Sequence, residues 1–131
     1  YDRETFESEY LSLSNEENLA VLPYYALGSG FLTGKYRQDS DKSKSPRGGA
    51  MHNYMNERGF RILNAMDLVA SELNASPAQI AIAWLLNKPI VTAPIASATN
   101  LSHLYDLIKG SQIKLSADQM NALDTASAIH T

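Results

Sequence analysis

The sequence predicts an α/β fold, and this prediction comes from three observations. Two apolar, β-rich runs stand far apart in the chain, near residues 20–24 in "LAVLPYYAL" and near residues 90–95 in "PIVTAPIASA". Segments with helical periodicity or helix-capping residues separate these runs and follow the second one. The 131 residues, 44% apolar and 19% charged, have the size and composition of one folded domain. Strands that are separated by helices pair in parallel through right-handed crossovers, as in α/β proteins.

The first part of the chain contains a predicted helix, a strand and a long loop. Phe6, Tyr10 and Leu13 recur at helical spacing among acidic residues, which predicts a short amphipathic helix. In the strand near 20–24, Pro23 would remove one donor of the sheet ladder. Residues 36–53 are polar and rich in glycine, so we expect an exposed loop with little order. A loop of this length is more often a functional lid than a linker.

Two helices are predicted between the loop and the second strand. An apolar stripe at three- and four-residue spacing indicates the first, from Glu57 to Leu73. Ser76 as N-cap, Pro77 and Gln79 are typical of the start of the second. The residues that follow Gln79 are apolar all round, so we expect this helix to be buried on more than one side.

Two more helices are predicted after the second strand. The first begins near Asn100 and stops at Gly110. Ser116 and Gln119 form the capping signal of the second. The residues of the first that we expect to point inward are Leu101, Leu104, Leu107 and Ile108.

The two predicted strands leave the fold incomplete. Two strands cannot shield a parallel sheet, whose faces and edges both need cover. The chain also begins at Tyr1 and not at a methionine. We therefore expect a piece of a longer protein, which would pair with its missing part or associate with itself.

Composition argues against several classes of protein. A net charge of −3 disfavours nucleic-acid binding, which normally requires a basic surplus. Without cysteine the chain has no disulfide, thiolate zinc site or cysteine nucleophile, and it fits a reducing compartment, so we expect a cytoplasmic protein. No apolar run approaches the roughly 18 residues of a membrane span, so no membrane partner is expected either.

The stretch "VLPYYALGSGFLTGKY", residues 21–36, leads from a strand into a glycine-rich loop that ends in a lysine. A P-loop for nucleoside triphosphates would need a glycine in place of Ser29 and a serine or threonine in place of Tyr36. Only Gly34 and Lys35 match, so this class of phosphate loop is not indicated. The other interpretation from the residues alone is a flexible turn whose glycines permit tight backbone angles.

Three segments resemble the aldo-keto reductase family. The family loop after the seventh strand, commonly P-Y-S-P-L-G-x-G-x-L-T-G-K-Y, is similar to "PYYALGSGFLTGKY". The family's S-x-x-Q-x-A-L-A-W run, eighth strand and cofactor-phosphate loop are similar to "SPAQIAIAWLLNKPIVTAPIASATNLSHL". The family's closing helix resembles "IKLSADQMNALDTAS". The resemblance covers essentially the whole chain and implies the C-terminal part of a (β/α)8 TIM barrel. Residues 1–131 would then supply its last two strands and the following helices.

The resemblance implies a binding site for NADP(H) in two parts. In the first, Tyr24 matches the aromatic residue that stacks on nicotinamide, with a core tyrosine as the alternative. The following loop and Lys35 would hold the pyrophosphate, although Tyr25 replaces the usual serine. Arg47 resembles an arginine that reaches the adenosine phosphates, and a solvated loop charge is equally consistent with its position. The loop residues assigned to this part are Tyr24, Tyr25, Ala26, Leu27, Gly28 and Ser29.

The second part lies at the start of the helix near Asn100. Ser97 and Thr99 precede that helix, whose N-terminal amides and dipole favour an anion such as a 2′-phosphate. Thr99 replaces the arginine or lysine common in the family, so NADP is preferred to NAD on family grounds. His103 and Asp106 match positions that usually touch adenine and ribose, and plain solvation of His103 is the alternative.

The catalytic residues of the family have no counterparts in this sequence. In that family a tyrosine acid, assisted by a lysine, an aspartate and a histidine, protonates the carbonyl while NADPH delivers hydride, and these residues lie in the first half of the chain. We therefore assign no catalytic and no metal-binding residue, and give His52 and His130 no role.

Two hypotheses remain. One is the cofactor-binding half of an NADPH-dependent oxidoreductase that reduces aldehydes or ketones. This half would be inactive by itself, and the sequence does not identify its substrate. The other is a non-catalytic half-barrel that binds nucleotide or another protein.

Overall fold

The structure is a computed structural model that describes residues 1–44 and 48–129. A π-helix at Phe6–Tyr10 continues into α1. Three 3-10 helices follow in the loop region, at Gly28–Thr33, Asp39–Lys44 and Gly48–Asn53. The α-helices are α1 (Leu11–Glu16), α2 (Glu57–Leu73), α3 (Pro77–Leu86), α4 (Leu101–Gln112) and α5 (Ala117–Ser127).

The two segments predicted as strands lie side by side and parallel, but they do not form strands. Val21 and Val91 make a parallel bridge, and the described ranges contain no longer β-ladder. The Thr92 amide donates to the Val21 carbonyl at 2.9 Å, and the Ile95 amide donates to the Pro23 carbonyl at 2.8 Å. Pro23 has no amide to donate, and a pair of extended segments without further neighbours is marginal by itself. The parallel pairing expected from the sequence is present, whereas the predicted extent of the strands is wrong.

The predicted starts of α2, α3 and α5 are confirmed. α2 spans the predicted residues and is N-capped by Asn56, whose side chain accepts from the Gly59 amide at 2.9 Å. Ser76 and Gln79 form a reciprocal capping box at the start of α3, and Ser116 and Gln119 form another at α5. Each box satisfies two helix-terminal amides that would otherwise lack a partner.

Helix α4 differs from its prediction in two ways. Gly110 lies inside the helix, which continues to Gln112, and a Cβ at this position would stand 2.9 Å from the Gln79 carbonyl oxygen. Gly110 therefore permits α3 and α4 to approach closely and does not end the helix. Leu101, Leu104 and Ile108 were expected inside, but they are 68%, 43% and 46% exposed. Helix α3 packs against one side of α4. Within the described residues, the side of α4 that carries Leu101, Leu104 and Ile108 stays exposed.

The core lies where α2, α3 and α5 meet the loop segments. Most described residues between positions 36 and 53 are exposed, as predicted from their composition, but Tyr36 and Met51 are fully buried in this core. The Asp41 carboxylate accepts from the Arg37 and Gln38 amides at 2.8 and 3.0 Å and closes a turn there. Tyr36 and Met51 thus anchor the described part of this largely exposed loop to the core.

An open apolar groove of about 920 Å³ runs between the N-terminal helices and the faces of α2 and α3. Phe6, Val21, Met66 and Trp84 are among its lining residues. None of the helices within residues 1–44 and 48–129 has both the length and the apolar character needed to cross a membrane.

Candidate functional site

The bridged segments bring the two predicted parts of the site to one edge of the molecule. The Ile95 amide donates to the Pro23 carbonyl at 2.8 Å. Pro23 comes one residue before Tyr24, and Ile95 comes two residues before Ser97. Because the segments are parallel, both chains leave this point in the same direction. The loop that begins at Tyr24 and the loop that leads to α4 therefore start next to each other, as loops do at the carboxyl ends of parallel strands.

The glycine turn, defined here as Gly28, Ser29 and Gly30, has three successive residues in the left-handed region. Their φ values are 54°, 54° and 95°. Only glycine adopts this conformation readily, so Ser29 is held there against its own preference. The Gly28 amide donates to the Tyr25 carbonyl and the Gly30 amide to the Leu27 carbonyl, both at 2.9 Å. These two amides are therefore engaged within the loop, and the absence of a side chain at Gly28 leaves room for Leu32 and Tyr54.

The residues before the glycine turn divide into exposed rings and buried anchors. Tyr24 is 75% exposed and Tyr25 51%, and their rings pack edge to face with centroids 5.2 Å apart. Ala26 is buried, and Leu27 packs against the core cluster. Small and aliphatic side chains thus anchor the loop, and the Tyr24 ring is largely exposed to solvent.

Lys35 stands beside the glycine turn. Its Nζ lies 5.1 Å from the centroid of the Tyr36 ring, which is buried. A Cβ at Gly30 would come within 3.8 Å of the same Nζ, so the ammonium lies next to the backbone of the turn. A cation adjacent to a turn without side-chain bulk is suited to a phosphate group. Arg47, which was also predicted to reach phosphates, falls outside the described residues.

The start of α4 is exposed and is capped by side chains. The Asn100 side chain accepts from the His103 amide at 2.9 Å. Thr99 Oγ1 and His103 Nδ1 are 2.9 Å apart, so the hydroxyl and the imidazole form a hydrogen bond. Ser97, Thr99 and His103 are all exposed. Polar side chains and the N-terminus of α4 therefore share one exposed surface.

Asp106 and Gly34 connect both parts of the site to the first turn of α3. Gln79 Nε2 donates to Asp106 Oδ1 at 2.6 Å, so this carboxylate already has a partner within the protein. At the other loop, a Cβ on Gly34 would lie 3.2 Å from Pro77 Cγ. Pro77 and Gln79 belong to the same turn of α3, which therefore contacts both parts of the predicted site.

Sequence reasoning did not identify Tyr54, which lies beneath the glycine turn. Its hydroxyl donates to Asp2 Oδ2 at 3.2 Å. Burial, followed by the charge of Asp2 and the hydrogen bond to it, raises the pKa of Tyr54 to about 12. The signal in the sequence was an aromatic residue two positions before Asn56, the N-cap of α2, near the point where apolar side chains commonly pack at the entry of a helix.

The arrangement can bind a ligand that combines a flat ring with phosphate groups. The Tyr24 ring offers a stacking face, Lys35 a positive charge and the α4 N-terminus a favourable dipole. Within the described part of the chain, no group of three or more histidine or carboxylate side chains could hold a metal ion.

Comparison with known proteins is consistent across sequence and structure. A model of the aldo/keto reductase family matches residues 2–128. The chain is 34% identical over 116 residues to a probable voltage-gated potassium channel subunit beta from Oryza sativa subsp. japonica, covering 83% of this chain and 35% of that protein. It is 29% identical over 107 residues to the aldo-keto reductase yakc [NADP(+)] from Schizosaccharomyces pombe, covering 77% of this chain and 31% of that protein.

A solved structure of similar fold is the thermostable aldo-keto reductase Tm1743 in complex with the inhibitor epalrestat. The two chains superpose with a TM-score of 0.67 at 23% identity, covering 95% of this chain and 36% of the other. The described fold is thus part of the fold of that reductase. The chain spans about a third of the length of the relatives it matches, 35% and 31% in the two cases above.

Proposed function

Since the chain belongs to the aldo/keto reductase family, we propose that it is the cofactor-binding part of an NADPH-dependent oxidoreductase that reduces aldehydes or ketones to alcohols. The observation that carries this proposal is the convergence of two loops beyond the hydrogen bond between Ile95 and Pro23. One loop offers an exposed aromatic ring, a glycine turn and a lysine. The other offers the capped N-terminus of α4.

The cofactor would lie across both loops. Its nicotinamide would stack on Tyr24, and its pyrophosphate would pass over the glycine turn beside Lys35. Ser97 and Thr99 would meet the adenosine phosphate at the start of α4. Asp106 would hold α4 in place through Gln79 more than it would touch the ribose, because its Oδ1 is 2.6 Å from Gln79 Nε2.

NADP is preferred to NAD for two reasons. The exposed hydroxyls of Ser97 and Thr99 stand before a helix N-terminus, where a 2′-phosphate is favoured. The fission yeast relative carries NADP(+) in its name. A cofactor without the 2′-phosphate would lose this contact.

The reaction needs a proton donor that the chain's assigned residues do not include. NADPH supplies a hydride to the carbonyl carbon, and an acid must give a proton to the carbonyl oxygen. We propose that the acid belongs to the remainder of a (β/α)8 barrel, of which residues 1–131 form the C-terminal segment. That remainder would occupy the apolar groove of about 920 Å³ between the N-terminal helices and the faces of α2 and α3. Without it, the chain would not reduce carbonyl compounds.

A second candidate function is favoured by the open side of α4. Leu101, Leu104 and Ile108 expose an apolar surface, and two relatives are named as probable voltage-gated potassium channel subunits beta. Both facts fit a nucleotide-binding module that associates with another polypeptide without catalysis.

Binding of NADPH tests the proposal. The protein expressed from its complete reading frame is titrated with NADPH, and the binding is followed by nicotinamide fluorescence. Lys35→Ala should raise the dissociation constant by about one to two decades, because a charge-assisted contact contributes roughly 1.5–3 kcal/mol. Lys114→Ala, which removes an exposed lysine before α5, is the matched control and should bind like the wild type.

The same material separates the two candidate functions. An oxidoreductase should consume NADPH with a simple aldehyde, whereas the 131-residue chain by itself should not. A wild-type protein that binds no NADPH would contradict both candidates. Unchanged binding in Lys35→Ala would contradict the placement of the pyrophosphate.

A further inference from the structure

We propose that Tyr54 is a positioning residue for the cofactor, because its ring and hydroxyl hold the glycine turn in the shape that receives the pyrophosphate. The inference rests on the proposed function. Tyr54 would not touch the cofactor itself. It would act through Gly28 and Ser29, which lie directly above it.

The ring of Tyr54 supports the turn from below. A Cβ at Gly28 would stand 3.7 Å from Tyr54 Cε1, which is van der Waals contact. On its other sides the ring stacks on Phe31, with centroids 5.6 Å apart and planes at 22°. It also packs edge to face with the Tyr1 ring, with centroids 4.9 Å apart. Tyr54 is 9% exposed, so the ring has little room to move. The aromatic group therefore forms a rigid base for Gly28.

The hydroxyl of Tyr54 links the turn to the N-terminal segment. It donates to Asp2 Oδ2 at 3.2 Å, and the Ser29 side chain is close enough to lower the pKa of Tyr54, although burial and Asp2 outweigh this effect. Ser29 has φ 54° and ψ 20°, a backbone conformation that residues other than glycine rarely adopt. Such a conformation persists only where the surroundings impose it. The Tyr54 hydroxyl is therefore placed to help hold Ser29 in this conformation.

The backbone of Tyr54 is fixed independently of the glycine turn. Its amide donates to the Met51 carbonyl at 2.9 Å, and Met51 is fully buried. Two residues later, Asn56 caps α2. The support for the glycine turn thus comes from the core and from a long helix. Preorganisation of this kind lowers the free-energy cost of binding without adding a contact to the ligand.

The test compares two probes in the protein expressed from its complete reading frame. Tyr54→Phe keeps the ring and removes only the hydroxyl. It should weaken NADPH binding by about three- to tenfold, the range expected for one or two neutral hydrogen bonds. Adenosine 2′-monophosphate carries no part of the pyrophosphate and would contact only the α4 side, so its affinity should stay the same. A residue with a purely structural role would not separate the two probes.

Two controls exclude trivial explanations. Tyr10→Phe removes a hydroxyl from a tyrosine that is 50% exposed on the N-terminal helix, and it should leave both affinities unchanged. Val69→Ala truncates a buried side chain of α2, and it should lower the unfolding midpoint without separating the probes.

Each other outcome contradicts the inference. Equal NADPH affinity in Tyr54→Phe and wild type, or an equal loss for both probes, would overturn the positioning role while the proposed function stands. A wild type that binds neither probe would overturn the proposed function, and the inference with it.

Discussion

The Gln79 side chain donates from Nε2 to Asp106 Oδ1 at 2.6 Å and thereby joins the first turn of α3 to the middle of α4. The same side chain also caps α3, because its Oε1 accepts from the Ser76 amide at 3.3 Å. Gln79 is 8% exposed, so both ends of its amide are satisfied inside the protein. An amide suits this position because it is a donor at one end and an acceptor at the other.

Gln79→Glu should separate the two roles of this side chain. A glutamate still completes the capping box, but it places a second carboxylate against Asp106. We expect a loss of roughly 1–3 kcal/mol in the free energy of unfolding, because a buried hydrogen bond is replaced by repulsion. Urea denaturation of both proteins at pH 7 measures this difference in the free energy of unfolding.

The rescue variant makes this prediction specific. Adding Asp106→Asn to Gln79→Glu restores a donor opposite an acceptor, and most of the lost stability should return. A double variant that is as unstable as Gln79→Glu would show that the two side chains do not interact energetically.

Asp124 connects the N-terminus, the end of α3 and α5. Lys88 Nζ lies 2.8 Å from both carboxylate oxygens, Trp84 Nε1 donates at 2.9 Å, and Arg3 forms an ion pair at 3.0 Å. Burial alone would raise the pKa of Asp124. The hydrogen bonds from Lys88 and Trp84 and the charges of Lys88 and Arg3 outweigh burial and hold the pKa below its ordinary value of 3.8.

Stability should therefore depend on Asp124 in the acid range. Its pKa is lower in the folded than in the unfolded protein, so its contribution is complete above the unfolded value of about 3.8 and disappears as the pH falls through the folded value. Asp124→Asn should cost about 1–3 kcal/mol at pH 7, and this difference should shrink below about pH 4. Urea midpoints at several pH values measure the effect. Glu9→Gln, at an exposed position, is the control, and a cost independent of pH would contradict the role of the charge.

The helices were predictable because their signals are local. The capping residues Ser76 and Ser116 and the apolar stripe of α2 depend on residues three or four positions apart, and the structure places these helices where the sequence predicted. Strand formation depends on neighbours elsewhere, and a single bridge between Val21 and Val91 is what remains when two such segments have only each other.

The site was predicted less completely than the helices. The family resemblance identified Tyr24 and Lys35 from the order of residues in one loop. It could not reveal that Gln79 already engages Asp106, or that Tyr54 supports the glycine turn, because both contacts join residues at least 25 positions apart. Such relations depend on how helices and loops pack, and no periodicity in the sequence encodes them.

Gly110→Ala should destabilise the protein although alanine is the better helix former. Inside a helix the substitution normally gains about 0.5–1 kcal/mol. Here the added Cβ would stand 2.9 Å from the Gln79 carbonyl oxygen and 3.1 Å from Ile82 Cβ, so α3 and α4 would have to move apart. Overpacking of this kind costs about 1–3 kcal/mol. Gly49→Ala is the control, since nothing lies within 4 Å of the added group. Equal stability of Gly110→Ala and wild type would show that the two helices separate without cost.

The open side of α4 should make the 131-residue chain associate. Leu101, Leu104, Tyr105 and Ile108 are 68%, 43%, 59% and 46% exposed and lie on one helix. Contiguous apolar surface of this kind is typical of contacts between proteins and is unusual in a soluble monomer. At micromolar concentration the chain should therefore sediment as a species heavier than its 14.4 kDa.

A charged double variant tests whether this surface causes the association. Leu104→Glu combined with Ile108→Glu places two carboxylates on the exposed side of α4, and the protein should shift towards the monomer in sedimentation velocity. Leu68→Glu changes a leucine that is 70% exposed on α2, away from this surface, and it should sediment like the wild type. If the wild-type chain is already a cooperatively unfolding monomer of 14.4 kDa, the apolar side of α4 does not drive association, and the expectation that the chain requires a partner to cover it is wrong.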